Sequence, residues 1–222
     1  NEIADLCEKV GANVSDVSTG IGLDGRIGKK FLHPGPGYGG SCFPKDTLAL
    51  VKTAQDYKSP LSLIEHVVES NKKRKRSMYK RITNILPRDK KKKTISVLGL
   101  TFKPNTDDMR DSPSLDIIPA LIKQNYEVRV FDPEGMEEAK KSLIKYKSKI
   151  IWCKNAYEAA LNADVLVILT EWNEFRALDL KKLKKLLKRN VIVDLRNIYN
   201  PIEVRENGCL LYTSDAADER NS

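Results

Sequence analysis

The period of the hydrophobic pattern changes at residue 93, and this change constrains the fold more than any other feature. Before it, apolar residues recur three or four positions apart, the spacing of helices that bury one face. After it, short β-branched runs alternate with helical stretches, beginning with a strand at 94–100. Strands that alternate with helices form a parallel, doubly wound sheet. The sequence therefore predicts an α/β chain with a helical domain over 1–87 and a parallel-sheet domain over 88–208.

The helical part closes with a long helix between about residues 61 and 86, ended by Pro87. Leu61, Ile64 and Val68 fall on one face of this helix. Because a helix of this length usually buries its apolar face on a neighbour, we expect it to pair with the same helix of a second copy. Shorter helices precede it, over 3–10, over 14–22 and from Pro44 onward.

The sheet part carries only a weak nucleotide signal by pattern alone. Its first turn, 99–104, lacks the glycines of GxGxxG that let a backbone approach a dinucleotide pyrophosphate. A helix that starts near Ser112 and Ser114 could still hold a phosphate at its N-terminus. The other predicted elements are strands 127–131, 149–152, 163–169 and 191–194, and helices 112–124, 157–161 and 181–188.

The net charge of +9 concentrates in two basic runs, 72–76 and 90–93. Such an excess occurs in proteins that bind nucleic acid or anionic substrates. Few aromatic residues lie among these cations to stack on bases, so no nucleic-acid partner is expected. We interpret the first run as a solvated helix face and the second as a loop. No apolar run approaches the length of a membrane span, so no membrane partner is expected.

The four cysteines are Cys7, Cys42, Cys153 and Cys209. Their spacing matches neither a zinc site nor a CxxC pair, so we expect no metal and a reducing, cytoplasmic setting. Cys7 continues an apolar helical stripe and Cys153 ends a strand, so both are interpreted as structural. Only Cys42 stands in an unusual context.

Cys42 follows a stretch of forced shape, residues 34–40, which holds four glycines and two prolines and is called the glycine loop below. Glycine permits positive φ and close approach of the backbone to a ligand. A helix begins just after the loop, and its positive end together with Lys45 would stabilise a thiolate. Asp46 lies one turn along and could orient a water molecule. A tight turn around an inert cysteine explains these residues equally well.

The segment Gly-Pro-Gly-Tyr-Gly-Gly-Ser-Cys-Phe-Pro-Lys-Asp, at 35–46, resembles the active-site signature of the UDP-glucose/GDP-mannose dehydrogenase family. The resemblance covers about residues 1–208. It implies a helical central domain that forms dimers, followed by a Rossmann-like domain that binds UDP. Further similar stretches follow in the family's order, at 24–28, 99–113, 163–175 and 194–197.

The resemblance implies a four-electron oxidation of UDP-glucose to UDP-glucuronate by two NAD⁺. Cys42 would trap the intermediate aldehyde as a thiohemiacetal and then carry a thioester. Cys42, Lys45 and Arg110 would contact the cofactor, and Lys45 and Asp46 would assist the chemistry, Asp46 by placing or activating water. Substrate contacts are implied for Arg26, His33, Pro34, Gly35, Pro36, Gly37, Tyr38, Gly39, Phe102, Lys103 and Arg196.

Several implications concern partners and completeness. The family's first domain, which holds the main NAD site, has no counterpart in these residues, so we expect the chain to be inactive alone. In the family, the arginine that matches Arg26 reaches a neighbouring subunit's substrate site, which implies a homodimer or larger homo-oligomer. GDP-mannose or UDP-N-acetylmannosamine dehydrogenases are alternatives, but the latter usually have histidine where this chain has Ser41. A non-catalytic nucleotide-binding or dimerisation module is a further alternative.

Both ends of the chain differ from the family pattern. The chain begins without Met inside a helix, so we expect its true start to be missing. Residues 209–222 resemble a translated sequencing adapter. We expect them to be a non-native tail without function. A divergent natural terminus is the alternative. Leu210, Leu211 and Tyr212 are apolar enough to pair as an edge strand, whereas the small acidic residues from Ser214 onward are expected to be disordered.

Overall fold

A computed structural model describes residues 1–87, 89 and 92–213. Gly11, with a left-handed φ of 71°, ends the first helix, and the Asn13 side chain caps the second by accepting from the Ser15 N–H. The predicted helical part is confirmed. Its helices are α1 Glu2–Val10, α2 Val14–Gly22, α3 Cys42–Asp56 and α4 Ser62–Asn84.

Helix α3 starts earlier than predicted. Cys42 is its first residue, not the last residue of the loop. Pro44, predicted at the first helical position, takes the third, where its missing N–H does no harm because the first N–H groups of a helix have no intrahelical acceptor. As a consequence, Lys45 and Asp46 lie three and four residues after Cys42, on the same side of the helix.

The second part is a six-stranded, all-parallel sheet. Its strand order, β3-β2-β1-β4-β5-β6, is the doubly wound order that the alternation of elements predicts. The strands are β1 Thr94–Leu98, β2 Glu127–Phe131, β3 Ile150–Trp152, β4 Val165–Ile168, β5 Val191–Asp194 and β6 Leu210–Thr213. The helices are α5 Ser114–Lys123, α6 Met136–Ser142, α7 Ala156–Ala160, α8 Asn173–Arg176, α9 Leu180–Leu186 and α10 Pro201–Glu206, with a 3₁₀ turn at Ile144–Lys149.

Both faces of the sheet are covered, which explains why β1, β4 and β5 are buried along their whole length. On one face, Met78 and Ile82 of α4 pack with Ile117 and Leu121 of α5. On the other face, α7 and α9 contribute side chains such as Leu183. Helix α4 therefore belongs to both parts of the chain, because it contacts α3 as well as α5.

The basic run of α4 is not simply solvated, so that interpretation is wrong for two of its residues. Arg74 and Lys75 are only 6% and 5% exposed. They share a face of the helix with Asn71, Met78 and Ile82, since these positions recur at helical spacing. The charge run therefore hides a buried polar stripe, defined here as Asn71, Arg74 and Lys75. Lys72, Lys73 and Arg76 are exposed as predicted.

The second basic run also departs from the expected solvated loop at one position. Lys93 is buried, with its ammonium 2.6 Å from the Asp89 carboxylate. Two other residues of that run, 90 and 91, lie outside the described part of the chain.

Among the residues described, none of the helices combines the length and hydropathy of a membrane span.

The structure bears on the predicted dimer contacts of α4 and on the predicted edge strand of the tail. Val68, predicted as a dimer contact, is already buried within its own chain, whereas Leu63 on the same helix is exposed. Strand β6 pairs in parallel with β5, so the predicted edge strand is confirmed. The residues from Ser214 onward, predicted to be disordered, lie outside the described residues.

The dual role of α4 leads to a stability prediction. Ile82→Ala removes a fully buried side chain from the core that α4 shares with the sheet. We expect the free energy of unfolding to fall by about 2–5 kcal/mol in urea titrations. Ile202→Ala is the matched control, because Ile202 is exposed. It should change the free energy of unfolding by less than about 0.5 kcal/mol. Equal effects of the two substitutions would contradict this assignment of the core.

Candidate functional site

The glycine loop is held by side chains from α4 and by Asn1, the residue before α1. The Tyr38 N–H donates to Asn71 Oδ1 at 2.9 Å, and Asn71 Nδ2 donates back to the Tyr38 carbonyl at 3.1 Å. Arg74 Nε donates to the Gly35 carbonyl at 2.5 Å. The Gly35 N–H donates to Asn1 Oδ1 at 3.0 Å. The polar stripe of α4 therefore satisfies the backbone that the glycines and prolines leave unpaired.

Two glycines are required because neighbouring atoms leave no room for a side chain. Gly37 has a φ of 128°, and a Cβ there would lie 2.6 Å from Cγ of Lys75. A Cβ on Gly39 would lie 2.5 Å from the Asp111 carbonyl oxygen. The loop is thus pressed between α4 and the segment before α5.

This packing changes the expected role of the loop backbone. The resemblance implies substrate contacts for residues 33–39, but the N–H groups of Gly35 and Tyr38 are committed to Asn1 and Asn71. Gly35, Pro36 and Gly37 are also buried. His33 and Pro34 instead line a groove of about 180 Å³ against α1 and α2.

Cys42 presents its thiol at the N-terminus of α3. The residue is exposed, and its Sγ lies 3.7 Å from Ser41 Oγ. Lys45 and Asp46 form an exposed ion pair with a 3.3 Å separation one turn along. A helix N-terminus favours an anion, so this position suits a thiolate. The three predicted catalytic residues therefore share one accessible face.

Arg110 lies beside the glycine loop, on the turn that precedes α5. Its guanidinium binds the Asp108 carboxylate at 2.7 and 2.9 Å, and these hydrogen bonds raise the pKa of Arg110. The charge of a Cys42 thiolate raises this pKa further by a smaller amount, so the two groups are within electrostatic reach. The Arg110 carbonyl also accepts from the Gly40 N–H at 2.8 Å.

Arg196 joins the end of β5 to the loop after β1. Its Nε donates to the Leu169 carbonyl at 2.7 Å, and its Nη2 donates to the Phe102 carbonyl at 3.1 Å. Burial lowers the pKa of Arg196, and the nearby Glu171 carboxylate opposes this effect. Arg196 also packs against Gly35. The predicted substrate residues Gly35, Phe102 and Arg196 are thus brought together, and Lys103 stacks on the Phe102 ring at 5.4 Å.

Arg26 stands apart from these contacts. It lies in the turn after α2, and its guanidinium binds Asp24 at 2.6 Å. Its side chain is 89% exposed, so it is open to another molecule.

The phosphate site predicted at the start of α5 does not form. The Ser112 and Ser114 hydroxyls both donate to the Leu100 carbonyl at 2.6 Å. The Ser114 N–H in turn donates to Ser112 Oγ at 3.3 Å. These groups are used to fasten the helix to the loop after β1, so they do not offer donors to an anion.

Sequence reasoning missed Asp132, which organises the same loop. It is fully buried at the end of β2 and accepts from the N–H groups of Leu100 at 2.6 Å and Gly135 at 2.7 Å. It also accepts from Trp172 Nε1 at 3.2 Å. Dinucleotide-binding sheets use an acidic side chain near this place for a ribose hydroxyl. Here that carboxylate is consumed internally, so the sheet does not provide a dinucleotide cradle.

The polar stripe was missed as well, although a signal for it exists in the sequence. Asn71, Arg74 and Lys75 fall on the same face of α4 as Met78 and Ile82, which favours their burial, although the sequence does not show which partners they would have. Among the described residues, no group of three potential ligands is placed to hold a metal ion.

Comparisons with known proteins find relatives along most of the chain. Residues 1–73 match the model of the UDP-glucose/GDP-mannose dehydrogenase family's central domain, and residues 96–201 match the model of its UDP-binding domain. The UDP-glucose 6-dehydrogenase of Rhizobium meliloti (strain 1021) is 59% identical over 208 residues, which are 94% of this chain and 47% of the relative. The enzyme TuaD of Bacillus subtilis (strain 168), of the same name, is 43% identical over 96% of this chain and 45% of its own length. The chain thus spans about half the length of the curated relatives it matches.

Solved structures share the fold. A UDP-glucose dehydrogenase from Pyrobaculum islandicum superposes with a TM-score of 0.83 at 27% identity, over 98% of this chain and 47% of that one. A UDP-D-ManNAc dehydrogenase from Pyrococcus horikoshii superposes with a TM-score of 0.74 at 26% identity, over 98% of this chain and 47% of that one.

The accessibility of the cysteines leads to a labelling prediction. In the native chain, iodoacetamide should alkylate Cys42 alone, because Cys7, Cys153 and Cys209 are buried. In denaturant all four should react. Intact mass and peptide mapping distinguish these outcomes. Native alkylation of Cys153 or Cys209 at the rate of Cys42 would contradict the described packing.

Proposed function

This chain belongs to the UDP-glucose/GDP-mannose dehydrogenase family, and we propose that it supplies the nucleophile and the UDP-sugar site for the oxidation of UDP-glucose to UDP-glucuronate. One observation carries the proposal: the exposed Cys42 begins α3 inside the family signature, with Lys45 and Asp46 one turn along. Because the chain spans about half of each relative, the complete reaction is proposed for a protein that includes the other half.

NAD⁺ is the oxidant that the family implies, and it accepts two electrons in each oxidation. The residues described here do not fit its main binding site, because Asp132 is consumed internally and the turn after β1 lacks a GxGxxG glycine pattern. Arg110 is exposed on the turn beside the glycine loop, and we assign it only a contact with the cofactor's outer edge. The main dinucleotide site is therefore assigned to the half of the relatives that this chain does not span.

The covalent steps fall to α3. The Cys42 thiolate adds to the C6 aldehyde of the oxidised sugar and forms a thiohemiacetal, whose oxygen takes up a proton. After the second oxidation the bond between Cys42 and C6 is a thioester. Water attacks this thioester, Asp46 accepts the proton of the water, and Cys42 leaves as a thiolate. Lys45 pairs with Asp46 at 3.3 Å and orients that carboxylate.

The sugar nucleotide is assigned to the junction of the glycine loop and the sheet. Phe102, Lys103 and Arg196 meet there, and Lys103 remains exposed to bind a phosphate. Parallel sheets bind ligands at the carboxyl ends of their strands, where β1 and β5 deliver these residues. UDP-glucose is favoured over UDP-N-acetylmannosamine because Ser41 stands where enzymes for that sugar usually have histidine.

The nucleophile is tested in the full-length protein. Cys42→Ser should lower the formation of NADH from UDP-glucose by more than about a thousandfold, since a hydroxyl is a far weaker nucleophile at neutral pH. Binding of UDP-glucose, measured by calorimetry, should be retained. Cys7→Ala is the control, because Cys7 lies in a separate apolar cluster with Ala4 and Val14. Near-normal turnover by Cys42→Ser would overturn the assignment.

We also propose that two copies share their sites through Arg26, whose side chain is open to a neighbour. Arg26→Ala and Cys42→Ser should each abolish turnover in the full-length protein. When the two variants are mixed and allowed to exchange subunits, about a quarter of the activity should return, since half the dimers are mixed and each then has one intact site. Activity that stays absent while mixed dimers form would contradict a shared site.

A further inference from the structure

Lys75 is a buried charge that takes no part in the chemistry proposed above. A lysine is seldom buried unless it is paired, because removing an ammonium from water is costly. Its alkyl stem already fills the space beside Gly37, a task that an apolar side chain could perform. The charge itself therefore calls for an explanation.

The ammonium of Lys75 is directed at one residue of the sheet domain. Its Nζ lies 2.7 Å from Asp111 Oδ1 and donates to the Asp111 carbonyl at 3.3 Å. A second carboxylate, that of Asp116, is more distant at 3.7 Å. Lys75 thus grips both the side chain and the backbone of Asp111.

Asp111 has an uncommon backbone conformation, with a φ of 52°. A non-glycine residue in the left-handed region is retained only where its surroundings hold it. The Asp111 carbonyl faces Gly39, and the neighbouring carbonyl of Arg110 accepts from the Gly40 N–H. The segment that Lys75 holds is therefore pressed directly against the loop that leads to Cys42.

We propose that Lys75 is a positioning residue that acts through Asp111 to hold the Arg110 guanidinium beside the Cys42 thiol. The proposal rests on the proposed function, in which Cys42 is the nucleophile. Within the described residues, the Arg110 side chain is hydrogen-bonded to Asp108, two residues away, so its position follows that of the turn. When the contacts between Lys75 and Asp111 are lost, the turn becomes free to move and the Arg110 guanidinium moves away from the Cys42 thiol.

The test measures the alkylation rate of Cys42 in this chain at pH 7 and low salt, with no sugar or NAD⁺ present. Asp111→Asn removes the carboxylate but tolerates the left-handed backbone. It should slow alkylation about threefold, the size expected for one exposed charge interaction. Lys75→Met should act in the same direction. Asp116→Asn is the matched control and should leave the rate unchanged.

Two further measurements separate positioning from general loosening. Iodoacetate is anionic and iodoacetamide is neutral, so loss of the Arg110 charge should slow iodoacetate more, whereas general loosening changes both rates alike. In an Arg110→Gln background, Asp111→Asn should have no additional effect, because the residue it positions is gone.

Three results would overturn the proposal. Asp111→Asn could alkylate at the wild-type rate, or Asp116→Asn could slow alkylation as much as Asp111→Asn does. Asp111→Asn could also slow alkylation as much in the Arg110→Gln background as in the wild-type chain. If Lys75→Met fails to fold, the alkylation rates of Asp111→Asn in the wild-type and Arg110→Gln backgrounds still test the proposal. If the expected rates are found but Cys42→Ser remains active in the full-length protein, the positioning role stands and the proposed function falls.

Discussion

The burial of three polar side chains on α4 is the constraint on which the site depends. Asn71, Arg74 and Lys75 would be costly to bury without partners, and the glycine loop supplies carbonyls and N–H groups that are equally costly to leave unpaired. Asn71 and Arg74 bind the backbone of the loop, and Lys75 binds Asp111 beside it. The loop therefore has one shape, and Cys42 emerges from it at the start of α3.

The sheet contributes fixed turns at the carboxyl ends of its strands. Asp132 gathers the N–H groups of the loop after β1, and Asp194 does the same for the turn after β5, accepting from Arg196 and Ile198 at 3.0 and 2.7 Å. Burial raises the pKa of Asp194, and its backbone hydrogen bonds oppose that change. These two carboxylates fix the turns that carry Phe102 and Arg196 to the glycine loop.

Local patterns were sufficient to predict much of this molecule. The parallel sheet followed from the alternation of strands and helices, and the grouping of Cys42, Lys45 and Asp46 followed from the start of a helix after glycines. Long-range polar pairing was not predictable in this way. Arg74 and Lys75 belong to a run of five cations, and only the partners that the fold brings to them, Asp5 and Asp111, make burial possible. The phosphate site expected near Ser112 also failed, since the Ser112 and Ser114 hydroxyls bind the Leu100 carbonyl, which the fold brings to the start of α5.

Amide hydrogen exchange by NMR tests most directly the claim that the polar stripe holds the glycine loop. The N–H groups of Gly35, Tyr38 and Gly40 donate to Asn1, Asn71 and Arg110, so they should exchange slowly although they lie in a loop. Asn71→Ala should accelerate exchange at Tyr38 before it affects Gly40. Exchange at all three as fast as at the exposed Gly25 would contradict the account, because the loop would then be free of α4.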